Sequence, residues 1–352
     1  MRTLLVASNG GHLSELHDLS QRLVPASDSV VWVTFDNAQS RGLLAGEEVV
    51  LVPFVGPRDS RGLARNLVPA HQVLRDTAVE RVVSTGAALA LAFLPPAHRM
   101  GLSCHYIESA ARTDGPSFTG HVLRLLGSGS LYSQHRQWAG PRWHYRGSVF
   151  DGLEPAPARE PAPLRRVVVT LGTSPFPFTR LVRRLLQVLP PQVQVLWQVG
   201  PTPVGPLPGR VVTSLPHEDL VAEMRAADVV VSHAGVGSAL TALSVGRCPV
   251  LVPRRLAHRE HVDDHQLQIA RALATRELAV PADADRLDLG HLELAASAAT
   301  RSVDRPPAFP LVQEPRRRRV PLLVAEPVPA PYGAPRGTRA AAAPGSALPE
   351  LR

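Results

Sequence analysis

Lysine is missing altogether: the 38 basic residues of the 352-residue chain are all arginine. With abundant Ala and Pro, this is the mark of a GC-rich coding bias, so arginine number alone says little about function. Cysteine is scarce. Cys104 and Cys248 lie far apart, each beside an apolar run, and read as buried free thiols in a reducing cytosol, not as a disulfide. No apolar run reaches the roughly 18 residues that span a bilayer. The longest candidate, Ala87 to Ala97, is broken by Pro95-Pro96. The opening MRTLLVASNGG reads as a strand entering a glycine turn, not as a signal peptide. No helix-turn-helix, zinc or aromatic stacking pattern is present, which argues against nucleic acid as partner. The net charge of +8 suits docking to acidic lipid headgroups or to a diphosphate-linked substrate.

At 44% hydrophobic, a chain this long can bury a core in each of two α/β domains. Strand patterns at 2–7, 29–35, 49–52, 81–84 and 103–107 alternate with helical patterns at 13–23, 64–75 and after Gly86. Asp151 to Leu164 holds four prolines in fourteen residues; it can join neither a helix nor a central strand and reads as a linker. A second alternating set follows. Its strands are expected at 167–171, 193–199, 211–212, 229–231, 249–252 and 278–280, and its helices at 178–189, 220–226, from 238, 260–275 and 292–300. Such alternation predicts parallel sheets with helices on both faces. The expected organisation is a first domain at 1–150, the linker at 151–164 and a second domain at 165–305. From Pro306 to Arg352 the pattern disappears into Pro, Ala and Arg, including Arg316 to Arg319, and a disordered tail is expected.

One stretch organises the rest: DVVVSHAGVGSALTALSVGRCPVLVPRRLAHREHVDDHQ, from Asp228 to Gln266. An apolar strand ends at Ser232-His233, a turn carries Gly235 and Gly237, a helix opens near Ser238, and a second strand follows. That is half of a nucleotide-binding α/β unit. Glycines let a ligand approach the backbone, and free N–H groups at the helix start favour a diphosphate. Beyond the second strand, Glu260, His261, Asp263, Asp264 and Gln266 crowd donors and acceptors where α/β folds bind ligands, as a hydroxyl-rich sugar needs. Two glycines after a strand are common in ordinary turns; the two polar clusters bracketing one unit weigh against that plain reading.

SHAGVGS and EHVDDHQ resemble the nucleotide-sugar half of GT-B glycosyltransferases of the family 28 type. The likeness extends to the catalytic subunit of the two-part UDP-GlcNAc transferase of lipid-linked oligosaccharide synthesis and to bacterial exopolysaccharide relatives. The first half carries Asn9-Gly10-Gly11-His12-Leu13-Ser14-Glu15, Ser84-Thr85-Gly86-Ala87, Tyr106 to Arg112 and Ser117 to Gly120. These resemble the partner subunit, which handles the lipid-linked acceptor. The resemblance implies a fusion, acceptor half first: a GT-B α/β fold with two Rossmann-like domains facing a cleft. The partner subunit of the two-part enzyme carries a membrane anchor, so membrane contact here would come from a surface. The 87–94 helix with Arg99, or Arg58, Arg61 and Arg65, are candidates, although the helix is equally read as core packing.

In such a fold His12 sits where the acceptor faces the donor. Transfer with inversion needs a base for the acceptor hydroxyl, and an imidazole of unperturbed pKa about 6.5 suits neutral pH. His12 is the first candidate, its alternative role being a helix cap or phosphate ligand. Glu108 is the second, its alternative being an anchor for Arg112. Asn9, Gly10, Gly11, Thr85 and Gly86 are the acceptor-side residues. On the donor side, Gly172, Thr173 and Ser174 are expected to meet the diphosphate, with His233, Gly235, Gly237 and Ser238 on the facing loop. Neutral donors and helix starts can stabilise the departing nucleoside diphosphate, so neither metal nor cofactor is expected beyond the UDP-sugar. Asp283-Ala284-Asp285 reads as a loop and helix cap. One departure stands out. Relatives often place a ribose-binding Glu in the helix after the glycine loop, where this chain has Thr241.

The expectation is an inverting, metal-independent transferase moving GlcNAc or another hexose from a UDP-sugar to a polyprenyl-diphosphate-linked acceptor. It would work in the cytoplasm, peripheral to the inner face of the cell membrane, in exopolysaccharide or cell-envelope glycan synthesis. A sugar-nucleotide epimerase of similar fold, and a non-catalytic sugar-nucleotide-binding scaffold, are the alternatives; Thr241 favours the scaffold.

Overall fold

Runs such as Val229-Val230-Val231 are apolar on both pleat faces, so a strand built from them must be covered on both sides. The computed structural model, which describes residues 1–56, 59–160, 162–173 and 175–312, covers them in two parallel sheets. Ser174, Arg58 and the tail from residue 313, with Arg316 to Arg319, lie outside the described residues.

The first lobe runs β1 (Arg2–Ala7), α1 (Gly11–Leu23), β2 (Ser29–Thr34), α2 (Ala38–Leu43), β3 (Val49–Leu51), α3 (Ser60–Asp76), β4 (Arg81–Gly86), α4 (Leu89–Arg99), β5 (Ser103–Ile107), α5 (Phe118–Leu126), β6 (Ser130–Ser133) and β7 (His144–Tyr145). A short strand, β8 (Leu153–Ala156), follows. The second lobe runs β9 (Arg166–Thr170), α6 (Thr179–Val188), β10 (Gln194–Gln198), β11 (Arg210–Val212), α7 (His217–Ala226), β12 (Val229–His233), α8 (Val236–Ser244), β13 (Val250–Val252), α9 (His265–Thr275), β14 (Val280–Pro281), α10 (Leu289–Ser297) and β15 (Ala299–Ser302).

The sheet orders are β3-β2-β1-β4-β5-β6-β7 and β11-β10-β9-β12-β13-β14. In each, the order reverses between neighbouring central strands, β1 with β4 and β9 with β12, and ligands of open α/β sheets bind beyond the carboxyl ends at such a reversal. Those ends carry the Gly10 turn and Thr85-Gly86 in the first lobe, and Gly172 and His233 in the second. Register is parallel at both: Leu4 pairs with Val82, and Val168 with Val230. Each lobe has its own apolar core, around Phe93 and Val82 in the first and Trp197 and Val231 in the second. A further cluster spans both lobes, joining Leu13 and Leu16 of α1 to Val236 and Leu240 of α8 and Ile269 of α9.

Four expectations need correction. The 151–164 linker is not wholly irregular: β8 pairs antiparallel with β15, Glu154 opposite Arg301. As an outlying pair outside both main sheets it tolerates Pro155, which a central strand would not. The helix expected at 260–275 begins only at His265, because Glu260 and Asp264 accept hydrogen bonds from the backbone N–H groups of Arg255 and Leu256 and fold the preceding segment into a loop. Pro95-Pro96 does not break α4. Burial of Leu89, Ala90, Phe93, Leu94 and Ala97 outweighs the missing donors and makes one face of this helix core packing, while Leu91 and Pro96 stay half-buried on the other. Finally, residues 306–312 are ordered against the first lobe. Phe309 is buried and its N–H donates to Arg22 O at 3.0 Å, and Val312 N–H donates to Tyr132 Oη at 2.8 Å.

Candidate functional site

The turn after β1 is held by Gln39. Its Oε1 accepts from Gly10 N–H at 2.6 Å, and its Nε2 donates to Gly10 O and Ser14 Oγ, both at 3.1 Å. His12 then projects over Gly86. Its Nδ1 lies 2.9 Å from Thr85 O; a carbonyl only accepts, so Nδ1 carries the proton and Nε2 keeps its lone pair. Thr85 Oγ1 returns a hydrogen bond to His12 O at 2.7 Å. Gly86 has φ +125°, and a Cβ there would stand 3.1 Å from the His12 ring, so both its conformation and its neighbour demand glycine. Burial pulls the His12 pKa down to about 4, against the Thr85 carbonyl and with the Arg112 and His265 charges adding to the depression. His12 is therefore a neutral imidazole at physiological pH, but not the group of unperturbed pKa that its place in the sequence suggests: burial makes it a weaker base.

Glu108 is enclosed differently. Its carboxylate accepts from Ser117 N–H at 2.8 Å, Ser117 Oγ at 2.9 Å, Tyr106 Oη at 3.2 Å and Ser109 N–H at 3.2 Å. It thereby fastens the start of α5, and burial raises its pKa. Arg112 does not pair with it. Glu15 is a second buried carboxyl, bonded to Ser109 Oγ at 2.6 Å and to Ala110 N–H and Gln134 Nε2 at 2.9 Å. Burial raises it to about 7 despite those bonds.

In the second lobe the imidazole of His233 occupies the space between two glycines. A Cβ on Gly172 or on Gly235 would overlap its ring, and Gly172 also has φ +71°. His233 Nδ1 lies 3.4 Å from Thr170 O. Burial, then the nearby Arg254 charge, lowers its pKa to about 3. Arg254 is fully buried; Nη2 donates to Leu171 O at 2.7 Å, and the guanidinium lies 5.2 Å from the Phe178 ring centroid. It ties Leu171, just past β9, to Phe178, just before α6. Thr173 is exposed, and Ser238 is half-buried in the first turn of α8.

The polar stretch after β13 divides in two. Glu260 forms a bidentate pair with Arg180 at 3.0 and 2.9 Å, Asp264 accepts from Leu256 N–H at 3.0 Å, and Gln266 accepts from Arg254 N–H at 2.9 Å. These three brace their own loop. Asp263 instead reaches the other lobe, accepting from Arg112 Nη1 at 2.9 Å. His265 Nδ1 bonds its second oxygen, and His261 Nδ1 lies 3.5 Å from the same atom. Burial would raise the Asp263 pKa, but its contacts with His261 and His265 and the Arg112 charge prevail and hold it ionised, far below the usual carboxylate range. Asp283 and Asp285 engage Arg180 at 3.2 and 3.1 Å, and α10 is capped by Asp288 instead.

The two reversals meet. A Cβ on Gly237 would lie 3.2 Å from Gly11 Cα, and one on Gly11 would lie 3.4 Å from Gly237 N. Neither α1 nor α8 has a side-chain cap, so two helix starts with free N–H groups face each other beside His12. Thr241, one turn into α8, donates its hydroxyl back to Gly237 O at 2.9 Å. The structure thus gathers Gly10, Gly11, His12, Thr85 and Gly86 with Gly235, Gly237, His261 and Asp263, while Glu108, Glu260, Asp264 and Gln266 are tied into supporting contacts.

Sequence reasoning passed over Arg254 and Gln39, and it placed His265 in the polar stretch without counting it among the sugar-facing residues. His265 had a signal, the alternating His-x-Asp-x-His of residues 261–265. Arg254 had none, being one of 38 arginines.

Residues 166–296 match the glycosyltransferase family 28 C-terminal domain. The UDP-N-acetylglucosamine transferase subunit ALG13 of Yarrowia lipolytica is 44% identical over 69 residues, 19% of this chain and 33% of that protein. The matched stretch thus spans a third of that relative's length. Among solved structures, MurG of Acinetobacter baumannii aligns over 83% of this chain and 89% of its own, at 16% identity and a TM-score of 0.53. The glycosyltransferase SnogD of Streptomyces nogalater aligns over 84% and 90%, at 20% identity and a TM-score of 0.56. The fold is GT-B, and its second lobe is similar to the family 28 C-terminal domain over residues 166–296.

Proposed function

We propose that the chain is an inverting glycosyltransferase that moves a sugar from a UDP-sugar, UDP-GlcNAc or another UDP-hexose, to a polyprenyl-diphosphate-linked acceptor in polysaccharide or cell-envelope glycan synthesis. The observation that carries this reading is the meeting of Gly11 with Gly237. It brings an acceptor-side imidazole within reach of the loop suited to a diphosphate. The donor's diphosphate takes the uncapped start of α8, where free N–H groups and the helix dipole favour an anion. His12 Nε2 takes the acceptor hydroxyl proton as the anomeric carbon is attacked. Charge growing on the departing nucleoside diphosphate is met by backbone donors, so the transfer step needs no metal. Glu108, its oxygens already engaged, orients α5.

Membrane contact is the second half of the reading. No helix among the described residues is long and apolar enough to cross a membrane. A groove of about 710 Å³ between α3, α4 and α5 is lined by Leu63, Leu67, Leu91, Pro96 and Leu126, with Arg75 and Arg99 beside them. Apolar side chains rimmed by arginine suit the headgroup boundary of an anionic bilayer. The chain would sit there as a peripheral protein of the inner membrane face.

A binding-only scaffold is favoured by Thr241, whose hydroxyl is spent within α8 and offers no carboxylate to a ribose. Transfer assays with a panel of UDP-sugars and a lipid-diphosphate acceptor, with His12→Ala alongside, separate the readings. Loss of about 100-fold or more in that variant supports His12 as base. Full activity removes it, preference for a GDP- or TDP-sugar overturns the donor, and donor binding without transfer establishes the scaffold.

A further inference from the structure

We propose that His261, Asp263 and His265 form a binding site for a first-row transition-metal dication of the zinc or cobalt class. The three residues alternate along the bend that enters α9, and their ligand atoms all lie within 4.8 Å of one another. Two imidazole nitrogens converge on one carboxylate oxygen. His265 Nδ1 bonds Asp263 Oδ1, but His261 Nδ1, 3.5 Å from the same oxygen, is buried without a hydrogen-bond partner. A shared cation satisfies all three atoms; a hydrogen bond satisfies two of them.

The surroundings hold the donors in place. The His261 and His265 rings stand nearly perpendicular with centroids 4.6 Å apart, and Phe176 packs against His261 at 5.6 Å. Arg112 occupies Asp263 Oδ2 at 2.9 Å and leaves Oδ1 for the ion. Oriented outer partners of this kind fix a ligand's direction. Two imidazoles and one carboxylate suit zinc, cobalt or nickel, whereas magnesium and calcium prefer oxygen ligands throughout. Three protein ligands leave a further coordination position open. The triad lies close enough for His265 to act on the charge of His12, and for both histidines to act on that of His233, but metal binding is scored with neither donor nor acceptor present, so it does not depend on the transfer reading.

The test is titration of the metal-stripped, untagged full chain with Co²⁺, followed by visible absorption, and with Zn²⁺, followed by calorimetry. One equivalent is expected to bind, with millimolar Mg²⁺ failing to displace it. His261→Ala and His265→Ala are each expected to weaken binding at least roughly tenfold, the scale on which even outer-shell changes act. His291→Ala, at a histidine paired with Asp288 on the start of α10, should bind as the parent does. Should an alanine variant fail to fold by circular dichroism, His261→Gln and His265→Gln repeat the measurement. Absence of saturable binding, binding unchanged in both histidine variants, or equal competition by Mg²⁺ would overturn the proposal.

Discussion

Gly11 and Gly237 touch backbone to backbone, with a Cβ on Gly237 due to fall 3.2 Å from Gly11 Cα. The contact fixes how closely the two sheet reversals approach. Gly237→Ala should therefore push the lobes apart by a few tenths of an ångström and leave the fold intact. Since misplacement by about 1 Å can cost about 100-fold in rate, transfer should fall by roughly tenfold while the melting temperature stays within a few degrees. Unchanged kcat/KM would show that the approach of the lobes does not matter to the reaction.

Gly235 and His233 give a sharper case. Gly235 has ordinary backbone angles, so alanine there is resisted only by the imidazole beside it. Gly235→Ala should cost about 1–3 kcal/mol, the usual range for overpacking. Adding His233→Ala removes the ring, and the double variant should recover most of that cost. A denaturant double-mutant cycle reads the coupling; additive costs would mean that the ring does not oppose the methyl group.

Stability against pH follows from two opposed sets of buried groups. His12, His233 and His105 have pKa values lowered to about 4, 3 and 3, chiefly by burial. A histidine kept neutral by folding contributes fully above its unfolded value of about 6.5, and that contribution is lost as pH falls toward the folded pKa. Glu15, raised to about 7 by burial, runs the other way. Its contribution is complete below about pH 4.5 and is lost as pH rises through 7. Between pH 4.5 and 6.5 the carboxyl partly offsets the histidines; below 4.5 the histidines act alone and stability should fall steeply. Glu15→Gln removes the offset. An amide can donate to Ser109 Oγ and accept from Ala110 and Gln134, so the variant should match the parent near pH 4.5 and exceed it by about 3 kcal/mol at pH 8. Denaturant titrations at the two pH values check the sign.

Phe309 tests the returning segment. It is 1% exposed and packs on Tyr132 with ring centroids 5.7 Å apart. Phe309→Ala should cost about 3–5 kcal/mol. A melting temperature unchanged by this substitution would mean that residues 303–312 are dispensable to the first lobe.

The sheets were legible because their strands are apolar runs closed by glycine turns, a signal that survives without tertiary context. β6, β7 and α5 were not legible: the strands are short and carry Ser and His, and FTGHVLRLL follows a loop without a break in composition. The overshoot at 260–265 arose because helical spacing is visible in sequence, whereas the competing bonds from Glu260 and Asp264 to backbone N–H groups are not. In the site, the glycines and His12 could be found by position. The reason for Gly172 and Gly235 could not, since the His233 ring they accommodate is defined only by packing. Arg112 and Asp263, 151 residues apart, carry no mutual signal along the chain.

The β8–β15 pairing has a mechanical consequence. The chain crosses from the first lobe to the second after β8 and returns after β15, and the two crossings lie side by side, hydrogen-bonded to each other. Both connections between the lobes are thereby gathered into one ribbon, which confines any hinge between them to a single place in the chain.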